Sequence, residues 1–124
     1  MQKNILLIED ETRIRFLLRD YFLKENFNII EASDGDEGLN LFIKHKIDLV
    51  ILDIMMPKID GITVLEMIRK VSSVPVILLT AKSQEEDKLF GYEMGADDYI
   101  TKPFSPKVLI AKDKIITKNY IQRS

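Results

Sequence analysis

Five polar side chains of this 124-residue sequence follow short apolar runs. Glu9 and Asp10 close the run 5–8, Asp53 closes 49–52, Thr80 closes 74–79, and Lys102 stands just beyond 98–101. Three carboxylates, a hydroxyl and an ammonium form a coherent chemical set if the fold gathers them. Clustered carboxylates repel and raise one another's pKa unless a cation sits among them. Oxygen donors suit a hard divalent ion, Mg²⁺ above the others. A carboxylate can act as nucleophile toward a phosphoryl group and form an acyl phosphate. The transferring group carries spread negative charge, so the help it needs is electrostatic: a metal, a lysine and a hydroxyl on its oxygens. Asp53 is the nucleophile candidate because it ends a central apolar run and leads into a loop; Glu9 and Asp10 hold the metal, Lys102 pairs with a phosphoryl oxygen and Thr80 donates its hydroxyl. Singly, each residue has a plainer role, such as a turn or cap for the acids. The joint placement carries the reading.

The elements that must position them alternate in kind. Apolar runs at 5–8, 28–32, 48–53, 74–79 and 98–101 predict five strands. Between them lie helical stripes: Ile14, Leu17, Leu18, Tyr21 and Phe22; then Leu39, Phe42 and Ile43; then Val64, Leu65 and Ile68; then Leu89, Phe90 and Met94. Val108, Ala111 and Ile115 line the last helix, which Ser105-Pro106 opens. Asp34 with Glu37, and Ser83 with Glu86, have capping-box spacing. Alternating strands and helices imply an α/β fold, a five-stranded parallel sheet covered on both faces. Right-handed crossovers limit it to a doubly wound sheet. Such sheets bind ligands beyond the carboxyl ends of their strands, where the strand order switches. All five candidates fall on that edge.

Composition narrows the classes further. The chain is 46% hydrophobic and 31% charged, ordinary for one globular domain. No apolar stretch is long enough to span a membrane. The absence of cysteine excludes disulfides, thiolate metal sites and a cysteine nucleophile. A net charge of −2 gives the domain no nucleic-acid footprint, although Lys107, Lys112, Lys114, Lys118 and Arg123 make its last stretch basic. His45, the one histidine, reads as a solvated surface residue. The expected division is a domain over 1–119 and a polar tail over 120–124 that could begin a linker to an output domain.

Four segments resemble the response-regulator receiver family of two-component signal transduction, over nearly the whole chain. They are Ile8-Glu9-Asp10-Glu11, Asp53-Ile54-Met55-Met56-Pro57 through Asp60-Gly61, Leu79-Thr80-Ala81, and Gly95-Ala96-Asp97-Asp98-Tyr99 running into Lys102-Pro103-Phe104. The resemblance implies a flavodoxin-like fold with strand order 2-1-3-4-5. It implies Asp53 as phosphoacceptor from a sensor histidine kinase, and Mg²⁺ held by Glu9, Asp10, Asp53 and the Met55 backbone carbonyl. It also implies a switch in which Thr80 moves toward the phosphoryl group and Tyr99 turns inward behind it.

The stretch from Gly95 is similar to the OmpR/PhoB-type branch, whose members carry a DNA-binding output domain and pair as homodimers through the fourth helix, fifth strand and fifth helix. Lys88, Asp97, Asp98, Val108 and Lys112 are the implied interface residues. Val108 stands where the branch commonly has an acid, and Lys112 where it has arginine, whose bidentate fork lysine cannot reproduce. A cytoplasmic signalling role follows from the resemblance. The rival readings are a stand-alone receiver acting by protein–protein contact and an Asp-nucleophile phosphatase. Phosphatases of the haloacid-dehalogenase type have a second Asp two residues after the nucleophile, where this chain has Met55.

Overall fold

The computed structural model describes residues 2–56, 58–80, 95–101, 107, 111 and 112. In chain order the elements are β1 (Asn4–Ile8), α1 (Thr12–Lys24), β2 (Asn28–Ala32), α2 (Gly35–Lys44), β3 (Leu49–Asp53), α3 (Gly61–Arg69), β4 (Val76–Thr80) and β5 (Asp98–Thr101). Lys107, Ala111 and Lys112 are also helical. The expected helix over Leu89, Phe90 and Met94 lies outside the described residues, as do Ser83, Glu86, Ser105 and Pro106.

The five strands form one sheet in the order β2-β1-β3-β4-β5, with every neighbouring pair parallel. Successive strand side chains point to opposite faces, so a sheet covered on both sides needs apolar residues at every position. Leu6, Ile8, Val50, Leu52, Val76 and Leu78 join one buried cluster with Val64, Leu65 and Ile68 of α3. Ile5, Leu7, Leu49, Ile51, Ile77 and Leu79 join the other with Leu18 and Phe22 of α1. The chain leaves β1 for β2 on one side and returns to β3 on the other. The strand order therefore switches between β1 and β3.

Helix entry follows local chemistry. At α2 the Asp34 carboxylate accepts from the Glu37 N–H at 2.8 Å, while Glu37 Oε1 accepts from the Ser33 N–H at 2.8 Å. The Glu37 N–H holds the Asp34 carboxyl below its ordinary value; desolvation opposes the shift, and Lys58 adds to the lowering. At α3 the Asp60 carboxylate accepts from the Thr63 N–H at 2.8 Å. Asn26, at φ 66°, reverses the chain after α1, a conformation asparagine tolerates better than most residues.

Some expected core positions differ. Leu17 is 48% exposed and Ile43 80% exposed, because each helix meets the sheet along a narrower stripe than its apolar residues span. Ala111 is exposed as well. β4 starts at Val76 rather than Val74; Val74 is buried ahead of it, and the Pro75 carbonyl takes the Val50 N–H at 3.0 Å.

Candidate phosphoacceptor site

The acids meet at the carboxyl ends of β1 and β3, beside the switch in strand order. Glu9, Asp10 and Asp53 each offer a carboxylate oxygen, and those oxygens lie within 4.8 Å of one another. Glu9 is 0% and Asp53 2% exposed, while Asp10 is the most open of the three. Oxygen donors alone, all of them carboxylate, fit a hard divalent cation, which would relieve their mutual repulsion.

Glu9 and Asp53 are each held by their backbone surroundings. The Glu9 N–H extends the β1–β2 ladder to the Ala32 carbonyl at 3.1 Å, and its own carbonyl accepts from Arg15 Nη1 at 2.8 Å. Arg15 reaches back from α1 and also pairs with Glu31 at 3.2 Å, so its charge is directed at β2. Glu9 Oε2 accepts from the Glu11 N–H at 3.1 Å. On the other strand, Asp53 Oδ1 accepts from the Met55 N–H at 3.0 Å.

The loop after Asp53 is pinned from three sides. The Ile54 N–H donates to the Leu79 carbonyl at 2.9 Å, and the Ile54 carbonyl accepts from the Gly61 N–H at 3.0 Å. Ile54 and Met56 are buried in the core, whereas the Met55 side chain is 61% exposed. Met55 thus belongs to the site through its backbone. Lys58, at φ 68°, brings its ammonium to 3.6 Å from Asp34 at the start of α2.

Thr80, the last residue of β4, is fully buried. Tyr99 registers with Leu78, two residues before Thr80, so the three share one side of the sheet. Tyr99 is buried in the cluster that faces α2 and α3. Lys102 lies outside the described residues, as do Lys88 and Val108.

Of the other implied interface residues, Asp98 accepts from Lys112 Nζ at 3.0 Å within the same chain. Asp97 lies at the amino end of the sheet, where it accepts from Arg69 Nη2 at 3.0 Å and the Val76 N–H at 2.9 Å. Arg69 escaped the sequence reading. Its guanidinium also reaches the carbonyls of Gly95 at 2.9 Å and Val74 at 2.6 Å, tying the end of α3 to the starts of β4 and β5. A basic residue in the last turn of a helix was the only available sign.

Comparison with known proteins decides the family: a model described as the response regulator receiver domain matches residues 5–114. The chain belongs to that family. Among curated relatives, the receiver resembles the uncharacterized transcriptional regulatory protein YclJ of Bacillus subtilis (strain 168), at 47% identity over 94% of this chain and 51% of YclJ. It resembles the transcriptional regulatory protein ResD of the same organism at 44% identity, over 99% of this chain and 51% of ResD. The chain spans about half the length of these relatives. Among solved structures, the Francisella response regulator 1452 receiver domain superposes with a TM-score of 0.90 at 35% identity, covering 96% of this chain and 99% of its own. The order 2-1-3-4-5 expected of a receiver is the order observed.

Proposed function

We propose that this receiver accepts a phosphoryl group on Asp53 from the phosphohistidine of a sensor histidine kinase, and that the modified form switches an output function. The observation that carries the reading is the convergence of Glu9, Asp10 and Asp53 within 4.8 Å at the switch in strand order. In the transfer, an Asp53 carboxylate oxygen attacks phosphorus and forms the acyl phosphate, while the bond to the donor nitrogen breaks and that nitrogen keeps the electron pair. The Met55 N–H fixes the carboxylate in orientation through Oδ1. Glu9, Asp10, Asp53 and the Met55 carbonyl are the proposed Mg²⁺ ligands; the bound ion would neutralise charge on the phosphoryl oxygens. Lys102 and the Thr80 hydroxyl are assigned to those same oxygens. Hydrolysis of the acyl phosphate resets the site, so the domain serves as a phosphoacceptor and not as a turnover enzyme.

Output is assigned to a DNA-binding domain outside this chain, in a cytoplasmic transcription regulator of the OmpR/PhoB type. The support is that YclJ and ResD are transcriptional regulatory proteins about twice its length. The proposed active form is a homodimer through the fourth helix, β5 and the fifth helix, with Thr80 and Tyr99 as the switch.

Incubation with Mg²⁺ and acetyl phosphate tests the assignment by intact mass. One added phosphoryl mass is expected, and none in Asp53→Asn. Rapid release of phosphate with turnover would indicate a phosphatase instead. No added mass and no turnover would indicate a scaffold that acts without phosphorylation.

A further inference from the structure

A glycine sits against the backbone of the phosphoacceptor itself. Gly61 is the first residue of α3, and a Cβ there would lie 2.4 Å from the Asp53 carbonyl oxygen, 2.6 Å from Ile54 Cα and 2.9 Å from the Asp53 carbonyl carbon. All three atoms are backbone, so no side-chain rotation relieves the overlap. Ordinary Cβ contacts begin near 3.4 Å, so restoring one against the carbonyl oxygen requires a shift of about 1 Å.

The backbone facing Gly61 has little room to move. The Ile54 N–H is bonded to the Leu79 carbonyl and its carbonyl to the Gly61 N–H. The next N–H, from Met55, holds the Asp53 carboxylate. A displacement of the Asp53–Ile54 peptide therefore passes directly to the carboxylate oxygen. Gly35 and Gly38 provide a contrast. At Gly38 an added Cβ would meet the Ile8 side chain, Cδ1 nearest at 2.4 Å, and at Gly35 it would meet Val64 Cγ2 at 2.8 Å, with its nearest backbone contact, the Ile59 carbonyl oxygen, at 3.1 Å rather than 2.4 Å.

Building on the assignment of Asp53 as phosphoacceptor, we propose that Gly61 is a positioning residue for the phosphoryl transfer: its bare Cα lets α3 abut the Asp53 carbonyl and sets where the carboxylate stands. A misplacement of about 1 Å can cost about a hundredfold in rate when reacting groups must be aligned. Gly61→Ala should thus depress the rate far more than its loss of stability explains.

The test compares wild type, Gly61→Ala and Gly35→Ala for the initial rate of acyl phosphate formation from acetyl phosphate and Mg²⁺. Rates are taken at a temperature where circular dichroism shows each protein folded. Both variants should melt earlier. Gly61→Ala should lose at least about tenfold in rate and shift the Met55 amide resonance, while Gly35→Ala stays within about twofold of wild type. Equal rates for Gly61→Ala and wild type overturn the proposal, and so does an equal loss in Gly35→Ala. Failure of the wild type to label would instead overturn the assignment of Asp53. If Gly61→Ala does not fold, Asp60→Ala serves, since it frees the Thr63 N–H and loosens the first turn of α3 without adding a Cβ at Gly61. It should lower the rate several-fold, and an unchanged rate overturns the proposal.

Discussion

The proposed transfer asks Asp53 to keep a charge available although its side chain is almost completely buried. A carboxylate taken out of water is stabilised only by hydrogen bonds and opposite charge. The Met55 N–H supplies one such bond, and a divalent cation among Glu9, Asp10 and Asp53 would supply the charge. Asp10, as the most open of the acids, is the one to alter with least harm to the core. In Asp10→Asn, Mg²⁺ affinity should fall at least about tenfold, since even the loss of a ligand's outer partner costs that much, and phosphorylation should slow in parallel. Calorimetric titration with Mg²⁺ measures the first effect, and full labelling in excess chelator would disprove the metal's role. At this scale the sequence was informative about which polar groups the strands end in, because the apolar runs end at Glu9, Asp53 and Thr80. It was silent on how they are held. The Met55 N–H and the bare Cα of Gly61 act through backbone geometry, which no spacing encodes, and Arg15 meets the Glu9 carbonyl only once α1 has docked.

Elements position the site from behind as well as in front. The strands were legible because a run buried on both faces has few alternatives, and four of the five both begin and end within a residue of expectation. The helices were legible in kind, but Leu17 and Ile43 show that an apolar residue beside a stripe need not be in it. Arg69 was missed because its partners, Gly95 and Asp97, lie 26 and 28 residues away. Its side chain is 19% and that of Asp97 17% exposed, so the pair is largely withdrawn from water. Removing Arg69 leaves the Asp97 carboxylate poorly solvated and deprived of that guanidinium. Arg69→Met should accordingly lose about 3 kcal/mol of stability by urea unfolding, with Asp53 labelling at low temperature retained. A loss below about 0.5 kcal/mol, the range of a surface substitution, would show that the network contributes little.

For the whole molecule, the proposed signal is a shift between two states, and a ligand shifts such a balance only by its differential affinity for them. A coupling of roughly 1–3 kcal/mol would move the monomer–dimer balance about fivefold to 150-fold. Asp98 already pairs with Lys112 inside the chain, so cross-subunit pairing would have to share or replace that contact. Asp97 is engaged with Arg69, at the end of α3. Asp98→Asn should therefore alter the dimer formed with beryllofluoride, whereas Asp97→Asn should act mainly on stability. Sedimentation at two salt concentrations checks this, and a beryllofluoride-treated protein that stays monomeric at high concentration would refute the paired form.

The whole of the proposed signalling rests on one covalent event, phosphoryl transfer to Asp53. Borohydride reduces an acyl phosphate to an alcohol and so leaves a permanent mark on the modified carboxylate. After Mg²⁺ and acetyl phosphate treatment, reduction and peptide mapping should place that mark on Asp53 and nowhere else. A mark on Glu9 or Asp10, or an unmarked Asp53 in protein that has gained phosphoryl mass, would contradict it.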